Sequence, residues 1–292
     1  MPELPEVETV CRGLAPAMEG ALIVGVDLRR AGLRFAFPPD FAKRLTGRRV
    51  VCLSRRAKYI LADLDDATVL TAHLGMSGSF RVEQQQADST HGAFHHARSS
   101  AKAHDHVVLY LENAGKTAVV TYNDPRRFGY MDLIERKSLA NHRHFARLGI
   151  EPLGNQLDGA AIAALFAGKH APLKAALLDQ RLIAGLGNIY VCEALWFAGL
   201  APARAAGSIV RKHAQCEKLA AAIRDVLTRA VKAGGSSLRD HRLTDGSPGY
   251  FQNSFSVYDR EGESCMKPGC RGMIVRLVQS GRSTFHCRAC QR

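Results

Sequence analysis

The chain has 292 residues, of which 46% are hydrophobic and 23% charged, a composition that predicts a soluble globular protein with room for two domains. No stretch is apolar enough to span a bilayer, and the acidic, proline-bearing start is unlike a secretory signal, so we expect no membrane partner and a cytoplasmic protein with reduced thiols. The formal net charge of +13 predicts a polyanionic partner, of which nucleic acid is the commonest.

The first residues combine an amine with a carboxyl group. Removal of Met1 would leave Pro2 with a free secondary amine, and an α-amino group with a pKa of about 7.7–8.0 is partly uncharged near neutrality. Such an amine can attack an electrophilic carbon, and Glu3 could give or take a proton beside it. A helix is predicted next, because apolar side chains recur at helical spacing at Val7, Val10, Cys11 and Leu14. These residues alone favour an ordinary helix-entry turn, with Pro5 in the first helical turn.

Residues 21–135 are predicted to form β-strands. Segments rich in Val, Leu, Ile, Thr and Tyr, separated by turn clusters, cover residues 21–29, 49–64, 68–82, 106–112 and 118–134. Antiparallel strands of this kind bury one face against a second layer, which predicts a β-sandwich. Residues 84–103 break the pattern and are predicted to be a mobile surface insertion.

Three places among these strands carry unusual side chains. Lys58 stands at the entry to a strand, where a basic edge that discourages strand pairing is an equally good explanation. Met76 lies between two glycines and could project from a turn, although a core methionine is the ordinary interpretation. The turn at 123–129 holds two arginines beside Phe128, which suits contacts to phosphate and bases, or a basic surface turn with one ring in the core.

The strand pattern stops near residue 137, and helices follow a linker that contains Gly149, Pro152 and Gly154. Helices are predicted over residues 160–167, 173–179, 191–198 and 210–233. A glycine turn at 185–190 precedes the third of them, which is a weak signal for a phosphate site at a helix N-terminus. Residues 240–252, with Gly246, Pro248 and Gly249, are predicted to be a mobile loop.

Four cysteines crowd the last stretch of the chain. Cys265 and Cys270 are separated by four residues, Cys287 and Cys290 by two, and sixteen residues lie between the pairs. Two thiolate pairs at this spacing predict a tetrahedral Zn²⁺ site in a β-ribbon that turns at 279–282. From residue 264 onward there are six Lys or Arg and no Asp or Glu, as expected of a ribbon that faces phosphates.

Taken together, these motifs resemble those of the formamidopyrimidine-DNA glycosylase family of DNA-repair enzymes, in the wider group that includes endonuclease VIII. The resemblance covers nearly the whole chain and rests on ordered matches at residues 1–9, 56–59, 73–78, 124–129, 187–190, 245–251 and 287–291. The resemblance favours the functional explanation over the structural one at each of these sites, because every ambiguous residue stands where the family has a functional residue.

The resemblance implies an α+β protein of two lobes, with DNA bound across the cleft. Four segments are expected: a catalytic β-sandwich with a leading helix at 1–136, a linker at 137–157, a helix-two-turn-helix domain with a lesion-lid loop at 158–254, and a four-cysteine zinc-finger β-ribbon at 255–292. A monomer that acts on damaged double-stranded DNA, associated with the nucleoid, is expected.

The resemblance also implies a bifunctional glycosylase and AP lyase. Such an enzyme flips an oxidised purine (8-oxoguanine or a formamidopyrimidine) out of the duplex, because an atom inside the stack cannot be reached otherwise. Pro2 would attack the sugar C1′ and form a Schiff base, and Glu3 would shuttle protons. Lys58 would assist β-elimination, and Arg282 at the ribbon tip would assist δ-elimination.

DNA-contacting residues follow from the same resemblance. Met76, Arg126 and Phe128 match the residues that fill the void left by the flipped nucleotide. The further DNA contacts expected are His104, Asn188 and, by approximate alignment, Lys169. One structural Zn²⁺ is expected on Cys265, Cys270, Cys287 and Cys290.

Two features depart from the family pattern, and two alternatives stay open. The first cysteine pair has four intervening residues where the family commonly has two, and the 84–103 insertion has no recognised counterpart. An endonuclease VIII-type enzyme for oxidised pyrimidines usually begins Pro-Glu-Gly-Pro, whereas Leu4 follows Glu3 here. A damaged-DNA-binding protein without catalysis is the other alternative, which the joint presence of Pro2, Glu3, Lys58 and Arg282 argues against.

Overall fold

The computed structural model describes residues 2–85, 102–237, 243–245 and 247–292, so most of the 84–103 insertion lies outside the described residues. The chain divides into two compact units. Unit 1 comprises Met1–Ala146 and Gly234–Tyr250, and unit 2 comprises Arg147–Ala233 and Phe251–Arg292. The loop segment at 234–250 therefore groups with the amino-terminal strands and not with the helices that precede it in sequence.

Unit 1 begins with a helix and continues with eight strands among the described residues. The elements are α1 (Leu4–Met18), β1 (Leu22–Leu28), α2 (Phe41–Leu45), β2 (Val50–Arg56), β3 (Tyr59–Leu64), β4 (Thr68–His73), β5 (Ser79–Gln85), β6 (Asp105–Asn113), β7 (Lys116–Asn123) and β8 (Tyr130–Glu135). Short 3₁₀ helices at Lys102–His104 and Arg136–Asn141 flank β6 and β8.

The strands form two antiparallel sheets of four, in the orders β1-β6-β7-β5 and β2-β3-β4-β8. Both sheets contribute to one hydrophobic core, which holds Ile23, Leu109 and Val120 from the first and Ile60 and Leu70 from the second. The apolar face of α1 closes the same core through residues that include Val7, Val10 and Leu14. The predicted β-sandwich with a leading helix is confirmed.

Three predicted long strands were wrong in extent, and each is two strands. The segment 49–64 turns at Ala57-Lys58 between β2 and β3. The segments 68–82 and 118–134 break at 74–78 and 124–129, where the chain crosses from one sheet to the other. The three breaks are the places that carry Lys58, Met76 and the Arg126–Phe128 turn, so the unusual side chains occupy turns because the strands end there.

Unit 2 is helical with a terminal hairpin. Its elements are α3 (Gly159–Phe166), α4 (Leu173–Leu178), α5 (Asn188–Ala198), α6 (His213–Lys232), β9 (Ile274–Gln279) and β10 (Arg282–Cys287), with 3₁₀ helices at Ala206–Ile209 and Phe251–Ser254. Asp158 caps α3 by accepting the Ala161 N–H at 2.7 Å. The hairpin β9–β10 pairs Gln279 with Arg282, as predicted. Within the described parts of the chain, no helix has the length and apolar character needed to cross a membrane.

Candidate active site and nucleic-acid interface

The amino-terminal residues are buried at the start of α1. Pro2 and Glu3 are both buried, and Glu3 is the N-cap residue of the helix. A reciprocal capping box fixes it: the Glu3 carboxylate accepts the Glu6 N–H, and the Glu6 carboxylate accepts the Glu3 N–H at 2.8 Å. The second oxygen of Glu6 accepts the Ser236 N–H at 2.8 Å and the Ser236 hydroxyl at 3.1 Å. Buried donors on two distant segments thus share one carboxylate.

Lys58 lies in the β2–β3 turn and is also buried. Ala57 before it has φ 53°, a left-handed conformation that is costly for a residue with a Cβ atom. Arg55 holds this turn, because its guanidinium donates to the Ala57 carbonyl at 2.8 Å and to the Glu8 carboxylate at 2.9 Å. Since Glu8 belongs to α1, the turn that carries Lys58 is tied to the helix that carries Pro2 and Glu3.

A buried carboxylate joins the two turns that carry the predicted void-filling residues. Asp124 is fully buried and accepts the Ser77 hydroxyl at 2.6 Å, the Gly129 N–H at 2.8 Å and the Tyr122 hydroxyl at 3.4 Å. Burial, followed by the Asp124 charge, raises the pKa of Tyr122, so this phenol stays protonated and can donate. The Ser77 hydroxyl oxygen in turn accepts the Arg126 N–H at 3.2 Å. Sequence reasoning assigned no role to Asp124 or Ser77.

The same two turns touch through their backbones. A Cβ at Gly75 would lie 2.3 Å from the Gly129 nitrogen, so no larger residue fits. Beyond this contact Met76 is half-buried and Phe128 is 44% exposed. The Arg126 guanidinium stacks over the Phe128 ring at 4.9 Å from its centroid. The structure therefore brings Met76, Arg126 and Phe128 to one place.

His104 belongs to this region through its backbone, because its carbonyl accepts the Asp124 N–H at 3.0 Å. The sequence indicated no role for a second histidine, His73. Burial, then the charges of Lys58 and Arg34, lowers the pKa of His73 to about 4. The ring is therefore neutral near pH 7, and its Nδ1 accepts the Gly75 N–H at 3.0 Å. The loop that carries Met76 depends on this neutral acceptor.

Arg282 is exposed at the start of β10, after a tight turn in which Ser280 and Gly281 both have positive φ. The neighbouring Ser283 carbonyl accepts two hydrogen bonds, from Lys174 Nζ and from Asn188 Nδ2, each at 2.9 Å. These contacts anchor the tip of the ribbon on α4 and α5. The signal that could have identified Lys174 is a lysine inside an otherwise apolar helix.

Asn188 is the first residue of α5, with Gly187 as its N-cap. The helix therefore begins three residues before the predicted start at Val191, and Asn188 lies in its first turn and not in the glycine turn that precedes it. Lys169 is half-buried after α3, and its carbonyl accepts the Gly207 N–H at 2.8 Å. In the part of the chain that the structure describes, Lys174 and Asn188 donate hydrogen bonds to the Ser283 carbonyl, and Lys169 does not.

The four terminal cysteines converge on one point. Cys265 Sγ lies 3.7 Å from Cys290 Sγ, and Cys270 Sγ lies 3.6 Å from Cys287 Sγ; all four sulfur atoms lie within 4.8 Å of one another. A tetrahedral Zn²⁺ with bonds of about 2.3 Å places its sulfur ligands about 3.8 Å apart. A Cβ at Gly272 would lie 2.6 Å from Cys287 Sγ, so this glycine allows the backbone to approach the thiols. The longer spacing of the first pair does not prevent the four-cysteine arrangement.

Hydrogen-bond donors around the cysteines favour thiolates. Trp196 Nε1–H donates to Cys265 Sγ at 3.3 Å, and the Gly272 N–H to Cys270 Sγ at 3.4 Å. Burial opposes ionisation of Cys265, but donors that include the Lys267 N–H and Trp196 lower its pKa to about 7. The residues therefore form a candidate metal centre whose donor set is consistent with zinc.

Two family models match consecutive parts of the chain. The model described as the formamidopyrimidine-DNA glycosylase N-terminal domain matches residues 1–131, and the formamidopyrimidine-DNA glycosylase H2TH domain matches residues 148–242. Together with the four-cysteine ribbon, they give the chain the architecture of the helix-two-turn-helix class of DNA glycosylases.

Relatives and solved structures narrow this class. The chain is 59% identical over 296 residues to formamidopyrimidine-DNA glycosylase of Sinorhizobium fredii (strain NBRC 101917 / NGR234), with 100% of both chains covered. It is similar to the crystal structure of MutM (Fpg) protein from Thermus thermophilus, with TM-score 0.82, 38% identity and coverage of 99% and 98%. A complex of Lactococcus lactis Fpg (MutM) with N7-benzyl-Fapy-dG-containing DNA matches with TM-score 0.81 and 31% identity over both full chains. The chain belongs to the formamidopyrimidine-DNA glycosylase family.

Proposed function

We propose that this protein is a bifunctional DNA glycosylase and AP lyase that removes oxidised purines, such as 8-oxoguanine and formamidopyrimidines, from duplex DNA. The observation that carries the proposal is the buried Pro2-Glu3 pair at the start of α1, tied through Glu8 and Arg55 to the turn of Lys58. An amine, a carboxyl and an ammonium group on adjoining elements suit Schiff-base chemistry at a sugar carbon. The names of the relatives and the Fapy-dG-containing complexes support the substrate class.

The first step uses the two amino-terminal residues. Once Met1 is removed, the uncharged Pro2 nitrogen attacks C1′ while the bond from C1′ to the damaged base breaks, and the departing base takes a proton from water. Glu3 accepts the N–H proton of the new Pro2–C1′ ammonium and delivers it to the ring oxygen as the sugar opens, which leaves an iminium between Pro2 and C1′. The capping box fixes the position of Glu3 at the start of α1, and the two hydrogen bonds from Ser236 fix the Glu6 carboxylate that completes the box.

Strand cleavage follows from the same iminium. The iminium withdraws electrons and acidifies the C2′ hydrogen; Lys58 assists its removal, and the 3′ phosphate departs in the β-elimination. Arg282 assists the second elimination, in which the 5′ phosphate departs, because a guanidinium stabilises the leaving phosphate. The anchoring of Ser283 by Lys174 and Asn188 restricts the ribbon tip on which Arg282 stands.

Recognition of DNA is assigned to both units. The side chains proposed to fill the void or to contact DNA are Met76, His104, Arg126, Phe128, Lys169 and Asn188. Unstacking a nucleotide costs a few kcal/mol, and inserted side chains offset part of that cost. The net charge of +13 supports binding to the phosphate backbone. We further propose that the protein acts as a monomer, in the cytoplasm, on nucleoid DNA.

A single structural Zn²⁺ on Cys265, Cys270, Cys287 and Cys290 completes the proposal. Bound zinc would hold the two strands of the β-ribbon together at the end where Cys287 pairs with Ile274, opposite the turn that carries Arg282, and it would take no part in the chemistry.

One substrate panel separates this function from its alternatives. Duplexes that carry 8-oxoguanine opposite cytosine, an oxidised pyrimidine, or no damage are incubated with the protein, and released base and nicked strand are measured separately. Fast release of 8-oxoguanine is expected. A preference for the oxidised pyrimidine would indicate an endonuclease VIII-type enzyme, and tight binding of damaged duplex without release would indicate a binding protein.

The nucleophile is tested by reduction. Borohydride added during turnover should trap a covalent complex through residue 2, located by mass spectrometry of the peptide, and an added residue before Pro2 should abolish trapping. A trapped peptide that contains Lys58 would overturn the assignment.

Phe128 has a matched control in the same unit. Phe128→Ala should slow release of 8-oxoguanine more than cleavage of a preformed abasic site, where less must be displaced. Tyr110 is 43% exposed and lies within β6, opposite Gly25 and Val119, so Tyr110→Ala removes a similarly exposed ring that is not part of the turn. Equal losses on both substrates for Phe128→Ala would assign that ring to packing.

A further inference from the structure

A second group of potential metal ligands lies in unit 1, apart from the cysteines. Asp132 belongs to β8, and His142 and His144 follow the 3₁₀ helix Arg136–Asn141. One ligand atom from each of the three side chains lies within 4.8 Å of the others. All three side chains are half-buried, so the group is neither an exposed acidic cluster nor part of the sealed core.

The spacing of the first pair fits two ligands of one ion better than a hydrogen bond. His142 Nε2 lies 3.6 Å from Asp132 Oδ2, beyond the 2.7–3.2 Å of an N–H···O bond. Imidazole and carboxylate ligands of one tetrahedral ion at about 2.0–2.2 Å would lie about 3.3–3.5 Å apart. The His142 and His144 ring centroids are 5.0 Å apart, close enough for both rings to face a common point.

One ring nitrogen of His144 lacks the partner that a buried polar atom normally has. Among the described residues, no hydrogen-bond partner meets His144 Nε2, although the atom is buried. His142 Nδ1 is also without a partner there, but the nitrogen of His142 that faces Asp132 is Nε2. His144 Nδ1, by contrast, lies 3.4 Å from the Tyr130 hydroxyl. A histidine ligand commonly uses its second ring nitrogen in such an outer contact, which leaves Nε2 of His144 to coordinate.

The charges around the group are mixed. Asp132 supplies a negative charge that would offset part of the charge of an added cation. Arg143, which lies between the two histidines in the chain, is exposed, and its guanidinium lies over the Phe35 ring at 5.4 Å from the centroid.

We propose that Asp132, His142 and His144 form a site for a divalent transition-metal ion of the zinc, cobalt and nickel class. Two imidazoles and one carboxylate favour such ions over Mg²⁺ or Ca²⁺, which prefer oxygen ligands. Side-chain rotations that move the ligand atoms by about one ångström would bring all three within the bond lengths of about 2.0–2.2 Å to one ion. Bound metal would fasten residues 142–144 to β8, the strand that continues from the turn of Arg126 and Phe128.

The test uses the full chain with its cysteines loaded with zinc and Co²⁺ as the added ion. Titration should give one further equivalent with a visible d–d band and without the near-ultraviolet thiolate charge-transfer band that cysteine ligation produces. His142→Asn and His144→Asn should each weaken this binding at least tenfold, since loss of an outer partner alone costs about 10–100-fold. His170→Asn, at an exposed histidine, is the matched control and should bind as the unaltered protein does.

A second measurement covers the case in which a variant misfolds. In protein labelled with ¹⁵N at histidine, diamagnetic Zn²⁺ should shift the His142 and His144 ring nitrogens and leave His170 unmoved. Absence of a further equivalent, a Co²⁺ spectrum with thiolate bands alone, unchanged binding by folded His142→Asn and His144→Asn, or unshifted ring nitrogens would each overturn the proposal.

Discussion

Asp124 offers a graded test of how the two site turns are held together. Its carboxylate receives three donors, from Ser77, Gly129 and Tyr122, in a fully buried position. Asp124→Ala removes the acceptor and leaves those donors in place. Asp124→Asn keeps one carbonyl oxygen that accepts the Gly129 N–H. Its amide N–H can donate a hydrogen bond to the Ser77 hydroxyl oxygen. The two substitutions should therefore differ in cost.

The magnitudes follow from the groups left unpaired. A buried donor without an acceptor costs about 1–3 kcal/mol. The Ser77 hydroxyl can rotate to another acceptor, so the Gly129 N–H and the more distant Tyr122 hydroxyl dominate, and Asp124→Ala should destabilise unit 1 by about 2–4 kcal/mol. Asp124→Asn loses mainly the charge-assisted part of its hydrogen bonds, about 1 kcal/mol.

The assay must report on unit 1, because the single tryptophan, Trp196, lies in unit 2. Amide hydrogen exchange at Gly129 reads the affected bond directly. Protection should fall slightly in Asp124→Asn and strongly in Asp124→Ala, while Asp225→Asn, at an exposed carboxylate paired with Arg229, should leave it unchanged. Equal protection in Asp124→Ala and the unaltered protein, or equal losses in both Asp124 variants, would refute this account of the turns.

Three further outcomes are expected. Arg282→Ala should release base and complete the first elimination but accumulate product that still carries the unsaturated sugar fragment, seen on a gel; slowing of every step alike, with a smaller salt dependence, would make Arg282 an ordinary phosphate contact. Chelation should remove about one zinc per chain and change Trp196 fluorescence, because its indole N–H donates to Cys265 Sγ; unchanged emission after metal loss would contradict this coupling. The folded pKa of His73, about 4, lies below the unfolded value of about 6.5, so its stabilising contribution is full above about pH 6.5 and is lost as the pH falls toward 4. The protection factor of the Gly75 amide, corrected for the intrinsic exchange rate at each pH, should fall as the pH falls over that interval, and His73→Asn should remove the dependence; a flat protection factor in the unaltered protein would refute the shift.

Sequence patterns predicted the fold class because periodicity and spacing are local signals. The helical spacing after Glu3, the strand-rich stretch and the two cysteine pairs all correspond to elements of the structure. The breaks within three long strand predictions were missed, since apolar side chains continue on both sides of each turn. What ends β4 is Gly75, whose contact with the backbone of Gly129 joins residues far apart in the chain, and no local window contains it.

Three buried carboxylates account for much of what the sequence could not show. Glu6 gathers donors from Glu3 and Ser236, and Asp124 gathers them from the Met76 and Phe128 turns. Glu193 accepts the backbone N–H groups of residues 256–258, each at 2.9 Å, and burial raises its pKa against the effect of those donors.

Glu6 and Asp124 look like surface residues in the sequence, because acidic side chains are mostly exposed and nothing nearby marks these two as buried. Glu193 differs, since it stands inside the apolar helix α5. Each is stable in the interior because several N–H or O–H donors converge on it from distant segments. Removing Glu6 or Asp124 therefore does more than delete a charge, because it leaves unpaired donors on the segments that carry Glu3, Met76 and Phe128. The proposed chemistry at Pro2 and the proposed wedge at Phe128 thus depend on acceptors, Glu6 and Asp124, whose own side chains need never touch DNA.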